Sequence, residues 1–84
     1  MSNSKTRGVT LRSIISAASF RKGYEDAKKG LPLAADGRDY KTVWHYERGR
    51  QFAFCYAGRL KEGHRVRNDA VYALMHAMNA RHVL

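Results

Sequence analysis

Apolar residues recur every three or four positions along most of this chain, which is the spacing that a helix places on one face. The first such stripe runs from Ile14 to Ala27. Gly30 and Pro32 follow it, and a glycine with a proline shortly after it is typical of a helix end. The pattern therefore predicts an N-terminal helix that stops at about Gly30.

The start of this helix allows two interpretations. Thr10 or Ser13 is a suitable N-cap for one continuous helix, whereas Ser19 could begin a second helix after a break. The residues before Thr10 are polar and basic, so we expect residues 1–9 to form a flexible basic arm.

The stretch Tyr40–Leu60 is the densest in aromatic residues and allows two backbone conformations. Helical spacing places its small and apolar residues on one face, while Gln51–Tyr56 alternates large and small side chains as a strand would. The scarcity of β-branched residues favours a helix. Asp39 or Thr42 would cap that helix, and Gly63 would end it.

A third helix is predicted over residues 68–82, after a connection in which Asp36-Gly37 marks a turn. Asn68 is its expected N-cap, and Arg81–Leu84 should fray. Its buried face would consist of Val71, Leu74, Met75 and Met78.

These elements predict an all-α protein with a helical hairpin over about residues 10–63 and the third helix packed against it. Residues 10–84 would form a single small domain. The expected core or semi-core residues are Tyr24, Trp44, Tyr46, Phe52, Leu74 and Met75.

The net charge of the chain indicates which classes of partner it is suited to bind. Lys and Arg number 16 against 7 acidic residues, which gives a formal net charge of +9 and a pI near 10.2. A surplus of this size favours nucleic acid or an acidic protein surface as the partner. No apolar run approaches the length of a membrane span, and the first residues lack the apolar core of a secretory signal, so we expect a cytoplasmic protein that does not enter membranes.

The residues that often carry chemistry do not form a recognisable catalytic or metal-binding pattern. Cys55 is the single cysteine, so it cannot form an internal disulfide, and among aromatic neighbours we expect it to be buried. The histidines lack the spacing of metal ligands, and no serine lies in a nucleophile elbow. We therefore expect no enzymatic activity, no metal and no cofactor.

Basic residues cluster on the predicted helices, where an arginine can bind a phosphate through two hydrogen bonds. Some of these side chains would only solvate the surface or pair with neighbouring acids. The candidate nucleic-acid-binding residues are Arg21, Lys22, Lys28, Lys29, Arg48, Arg50 and Arg59.

Two short patterns in the chain look alike. The first is Gly23-Tyr24-x-x-Ala27-x-x-Gly30, and the second is Tyr46-x-x-Gly49-Arg50-x-x-Ala53. A glycine inside a helix costs about 1 kcal/mol relative to alanine, so its presence suggests that another backbone approaches closely there. We interpret the two helices as a tight antiparallel hairpin.

This arrangement resembles the ribosome modulation factor family, whose small basic helical proteins carry a Gly-Tyr motif on the first helix and an aromatic-x-x-Gly-aromatic-x-x-Ala motif on the second. The resemblance covers roughly Phe20–Ala57. Arg50 replaces the second aromatic residue, the loop differs, and the helix after Gly63 is additional. The motif residues that match are Gly23, Tyr24, Ala27, Gly30, Tyr46, Gly49 and Ala53.

The resemblance implies a bacterial or phage protein that binds ribosomal RNA or the small ribosomal subunit and favours inactive paired ribosomes. A second hypothesis is a phage-type inhibitor or adaptor that uses the same surface to bind a host protein or nucleoprotein complex. Generic DNA binding is a third, and an exposed apolar stripe on the last helix would instead indicate a homodimer.

Overall fold

The structure, a computed structural model, describes residues 10–33 and 39–83 and is mostly helical in that part. The expected arm over residues 1–9, the Asp36-Gly37 turn and Leu84 lie outside the described residues. The elements in chain order are α1 (Leu11–Ser16), α2 (Ala18–Lys28), α3 (Tyr40–Ala53), β1 (Lys61–Glu62), β2 (Arg65–Val66) and α4 (Asn68–Asn79). The helical prediction is confirmed, but the small antiparallel sheet means that the fold is not purely all-α.

The N-terminal stripe forms two helices rather than one. Thr10 caps α1, and its hydroxyl accepts a hydrogen bond from the Ser13 backbone while the Ser13 hydroxyl accepts one from the Thr10 backbone. Ala17 then adopts an extended conformation, with φ −63° and ψ 133°, and breaks the helix. The alternative with a break is therefore correct, and the second helix begins just before Ser19.

The predicted end of the first helical region at Gly30 is confirmed. Gly30 has a φ of 73°, which a residue with a Cβ rarely adopts. The backbone N–H groups of Gly30 and Leu31 turn back to the carbonyls of Ala27 and Asp26, at 3.1 and 2.9 Å. This pair of hydrogen bonds satisfies two carbonyls at the end of α2.

Helix α3 begins at Tyr40, with Asp39 at the N-cap position, as predicted. It includes Gln51–Ala53, so the helical interpretation is correct for the first half of Gln51–Tyr56, and the strand interpretation is wrong for the whole of it. The helix nevertheless ends at Ala53, where the N–H groups of Cys55 and Tyr56 both turn to the Phe52 carbonyl. It does not continue to Gly63.

Gly63 instead lies in the turn of a β-hairpin, with a φ of 63°. Lys61 pairs with Val66, and Glu62 pairs with Arg65. The hairpin leads into α4 through Arg67, which occupies the N-cap position that was expected for Asn68. Ion pairs tie Arg67 to Glu62 and Asp69 on either side of it. Hydrogen bonds to Asp69 first, and then to Glu62, raise the pKa of Arg67.

One hydrophobic core joins the helices. Phe20, Phe52, Ile15, Leu74 and Val83 are its largest fully buried side chains. The prediction for Tyr24, Tyr46, Phe52 and Leu74 is confirmed, and Trp44 packs against the core while half-buried.

Two residues expected in the interior lie at the surface. Met75 is 37% exposed, because α4 turns Ala70, Leu74 and Ala77 toward the core, while Val71 and Met78 pack at its edge. Cys55 is exposed because α3 has already ended at Ala53.

The C-terminal end of α4 is held rather than frayed. Arg81 adopts a left-handed conformation with a φ of 64°. The N–H groups of Arg81 and His82 return to the carbonyls of Met78 and Ala77, at 3.1 and 2.8 Å. This geometry turns Val83 back into the core, where it is 1% exposed.

Candidate nucleic-acid interface

The candidate interface lies on two helices, α2 and α3, that cross closely. A Cβ added to Gly23 would lie 2.0 Å from the Tyr46 carbonyl oxygen, and one added to Gly49 would lie 2.0 Å from the Phe20 carbonyl oxygen. Real Cβ atoms do not approach other atoms so closely, so both positions require glycine. The backbone approach expected from these glycines is therefore confirmed.

The crossing has a local two-fold symmetry. Gly23 meets the oxygen of Tyr46 and the nitrogen of Arg50, while Gly49 meets the oxygen of Phe20 and the nitrogen of Tyr24. Each glycine thus contacts two residues of the opposite helix. One lies three positions before the glycine of that helix, and the other directly follows that glycine. Ala27 and Ala53 follow their glycines at the same spacing and are half-buried and buried. Gly30, the other glycine of the first pattern, has no atom within 4 Å of an added Cβ, so it serves the helix end rather than the crossing.

A buried carboxylate fixes the two helices to each other. The Tyr46 hydroxyl donates a hydrogen bond of 2.8 Å to Asp26, which is 7% exposed. Lys22 lies 3.3 Å from the same carboxylate oxygen. The hydrogen bond from Tyr46 lowers the pKa of Asp26, and Lys22 adds to this effect against the opposing effect of burial. Asp26 is therefore ionised at neutral pH, and one of the basic residues of α2 is partly neutralised.

Tyr24 and Lys28 attach the segment that follows α3 to α2. The Tyr24 hydroxyl donates hydrogen bonds to the carbonyls of Tyr56 and Gly58, at 3.0 and 2.6 Å. The Lys28 ammonium donates to the same Tyr56 carbonyl at 2.7 Å. Burial is the main cause that raises the pKa of Tyr24, so its hydroxyl keeps the proton that these bonds need. The segment with Arg59 is thereby held beside the end of α2.

The outer face of α2 is strongly basic. Glu25 is the acidic residue among its exposed side chains, and the other charged side chains exposed there are cations. These cations are Arg21, Lys22 and Lys28 on the helix and Lys29 at its C-cap. We call this surface the α2 basic face. It carries the positive charge that a phosphate backbone requires.

The candidate phosphate-binding residues fall into two groups. Arg21, Lys29 and Arg59 are exposed and form no side-chain hydrogen bond or ion pair within residues 10–33 and 39–83. The others already have intramolecular partners. Besides Lys22 and Lys28, these are Arg48 and Arg50.

Arg48 and Arg50 are the least suited to phosphate binding. The Arg48 guanidinium stacks 4.4 Å from the centre of the Trp44 ring, and its side chain is 17% exposed. Arg50 donates a hydrogen bond of 3.0 Å to the Leu31 carbonyl. Arg50 therefore ties α3 to the chain after α2, while Arg48 is held against its own helix by Trp44.

A groove that was not expected from the sequence lies where the α1–α2 break meets the start of α3. Its volume is about 540 Å³. The described residues that line it are Ser13, Ala17, Tyr40, Lys41, Thr42, Trp44 and His45. The sequence signal for it was weak, because Trp44 fits a core position equally well and the groove depends on the break at Ala17.

The described residues contain no cluster of three or more His, Cys, Asp or Glu side chains that could hold a metal ion. None of the described helices is long and apolar enough to cross a membrane. No protein-family model, no curated protein and no solved structure matches the chain.

Proposed function

We propose that this chain is a non-catalytic cytoplasmic binding protein of the ribosome-modulation type. It binds ribosomal RNA, or a ribosomal nucleoprotein, and lowers the activity of that particle. The observation that carries the proposal is the α2 basic face, on which cations outnumber the acid Glu25 in a chain with a net charge of +9.

The geometry of α2 supports this role for its outer face. The glycine crossing and the Asp26–Tyr46 hydrogen bond hold α2 rigidly against α3. A rigid helix needs no ordering of its backbone when its cations meet a phosphate backbone, which favours binding. Arg21 and Lys29 are the residues on this face that have no intramolecular partner within the described ranges, so they contribute most.

The test is a charge reversal of these two residues. We expect the double variant Arg21→Glu/Lys29→Glu to bind isolated small ribosomal subunits and a single-stranded ribosomal RNA fragment more weakly. The slope of log K against log salt concentration should fall by about 1.4, because each phosphate contact to a single strand contributes about 0.7. Fluorescence anisotropy with labelled RNA at several salt concentrations gives this slope.

The matched control is Arg65→Glu/Arg81→Glu, which makes the same change of net charge at exposed positions on β2 and after α4. The control should retain the slope of the original protein. Equal losses in both double variants would show that binding follows net charge alone and would remove the α2 basic face as the site. Circular dichroism checks that both variants remain folded.

A second candidate function is favoured by a different observation. Phe54, in the turn after α3, is 80% exposed, and aromatic residues are enriched at protein interfaces relative to the rest of the surface. An inhibitor or adaptor that binds a host protein would use such a residue. Its complex would survive nuclease and high salt and would be lost in Phe54→Ser, whereas an RNA complex would be lost on nuclease treatment and would retain its affinity in Phe54→Ser.

A further inference from the structure

The groove between the α1–α2 break and the start of α3 has the size of a small-ligand site. Its volume of about 540 Å³ lies within the range of about 300–1,000 Å³ that such sites occupy. Two aromatic residues, Tyr40 and Trp44, belong to its lining. Flat aromatic rings at a groove are suited to a flat ligand that stacks on them.

Trp44 is fixed in place before any ligand arrives. Arg48 stacks on its ring at 4.4 Å, and the His45 ring meets it edge-on at 5.1 Å between centroids. The indole is half-buried and also packs against the core. Since Trp44 lines the groove, a ligand there meets an indole whose position is already fixed, which avoids the entropic cost of ordering it.

Tyr40 supplies a second ring, which is exposed whereas that of Trp44 is half-buried. Its side chain is 82% exposed, although it lies at the first turn of a regular helix. An exposed tyrosine has few rotamers to lose, so it can close over a ligand at low cost. The groove thus combines a fixed ring with an accessible one.

The polar groups of the groove favour an anionic strand that carries bases. Lys41 provides a cation, and no carboxylate occurs among the described lining residues; Asp39, just before Tyr40, is not one of them. The Nδ1 atom of His45 is buried without a hydrogen-bond partner within the described ranges. Burial first, and then Lys41 and Arg48, lower the pKa of His45, so the ring is uncharged at neutral pH.

We propose that this groove receives an unpaired base of an RNA strand, which stacks against Trp44 and Tyr40 while Lys41 meets the neighbouring phosphate. The inference rests on the proposed RNA-binding function and adds to it the recognition of single-stranded rather than fully paired RNA. Stacking of this kind tolerates all four bases, because each of them has an aromatic face.

The single tryptophan of the chain gives a direct test. A labelled single-stranded oligoribonucleotide reports overall binding by anisotropy, and Trp44 emission reports occupation of the groove. We expect the oligonucleotide to quench Trp44, and an abasic strand of the same length and charge to leave the emission unchanged. Tyr40→Ala should weaken binding about 5- to 150-fold, which is the usual effect of removing one stacking partner.

Tyr72→Ala is the matched control, because Tyr72 is 61% exposed on α4 and does not line the groove. It should bind the oligonucleotide like the original protein. If anisotropy shows binding while Trp44 emission and the affinity of Tyr40→Ala stay unchanged, the groove proposal is wrong and the proposed function stands. If neither the oligonucleotide nor small subunits bind, both proposals are wrong.

Discussion

At the scale of single residues, Gly23 and Gly49 determine how closely α2 and α3 can approach. Neither is required by its backbone conformation, since both lie inside helices where alanine would be favoured by about 1 kcal/mol. Their value lies in what an added Cβ would meet, which is a carbonyl oxygen of the opposite helix. The missing side chain lets the two backbones touch and lets the polar bond between Tyr46 and Asp26 form at the same crossing.

The close approach predicts whether replacing either glycine by alanine stabilises or destabilises the protein. Gly23→Ala and Gly49→Ala should each lower the free energy of unfolding by about 1–2 kcal/mol, because overpacking against backbone outweighs the gain in helix propensity. The two variants should behave alike, since the crossing treats the two positions alike. Urea denaturation measures both, and an increase in stability in either variant would show that the helices do not touch there.

At the scale of elements, the ends of the helices show how far the sequence is informative. The end of α2 was predictable because Gly30 and Pro32 are strong local signals, and the structure places the chain reversal there. The end of α3 was not, because the turn after Ala53 has no glycine or proline and follows instead from tertiary contacts of Tyr56 with Tyr24 and Lys28. Gly63 does mark a turn of the chain, but it lies between β1 and β2 rather than at the end of α3.

The end of α4 was also missed, for a related reason. Arg81 occupies the left-handed position that a glycine usually takes, so nothing in the local sequence marks the reversal. The burial of Val83 compensates for the unfavourable conformation of Arg81. The burial of Val83 therefore outweighs the steric cost of the left-handed conformation at Arg81.

Replacing this arginine tests that account. Arg81→Gly should raise the free energy of unfolding by about 1 kcal/mol, because glycine adopts the left-handed conformation without steric cost. For a domain of this size, the melting temperature should rise by about 4–8 °C. Arg81→Ala removes the same charge but keeps a Cβ, so thermal denaturation should show no comparable gain; an equal gain in Arg81→Ala would point to charge rather than backbone strain.

At the scale of the whole molecule, α4 belongs to the same core as the α2–α3 pair. Ala70, Leu74 and Ala77 lie in one cluster with Ile15 and Phe20, so no separate C-terminal unit exists within the described residues. The apolar pattern predicted this helix and the burial of Leu74 correctly. Met75 was misplaced because α4 turns Ala70, Leu74 and Ala77 toward the core, and the pattern alone does not distinguish this face from the neighbouring one with Val71, Met75 and Met78.

A shared core predicts cooperative unfolding. Leu74→Ala should lower the free energy of unfolding by about 2–5 kcal/mol, because a fully buried leucine leaves a cavity. Trp44 fluorescence reports on α3, and circular dichroism reports on all helices, so both transitions should shift together. A Trp44 transition that stays in place while the helical signal shifts would show that α4 unfolds independently. Leu31→Ala, at a position 45% exposed, is the control and should change little.

One part of the candidate site could be predicted from the residue pattern, and the other part depends on tertiary packing. The cations of α2 were predictable because exposed positions on an amphipathic helix follow from its apolar stripe. Arg48 and Trp44 lie four residues apart on α3, so helical spacing alone already brings them together. The contact of Arg50 with the Leu31 carbonyl was not predictable, because it joins residues whose distance depends on the fold. The groove was unpredictable for the same reason.

The two-fold symmetry of the glycine crossing means that both helices use the same kind of surface for their contact. Phe20, Gly23 and Ala27 on α2 correspond in spacing to Tyr46, Gly49 and Ala53 on α3, and each glycine meets the other helix through equivalent backbone atoms. The pairing is therefore self-complementary, as in a symmetric dimer interface, although both helices belong to one chain. The two helices differ instead in their outer surfaces, where α2 carries cations and α3 carries the aromatic residues of the groove.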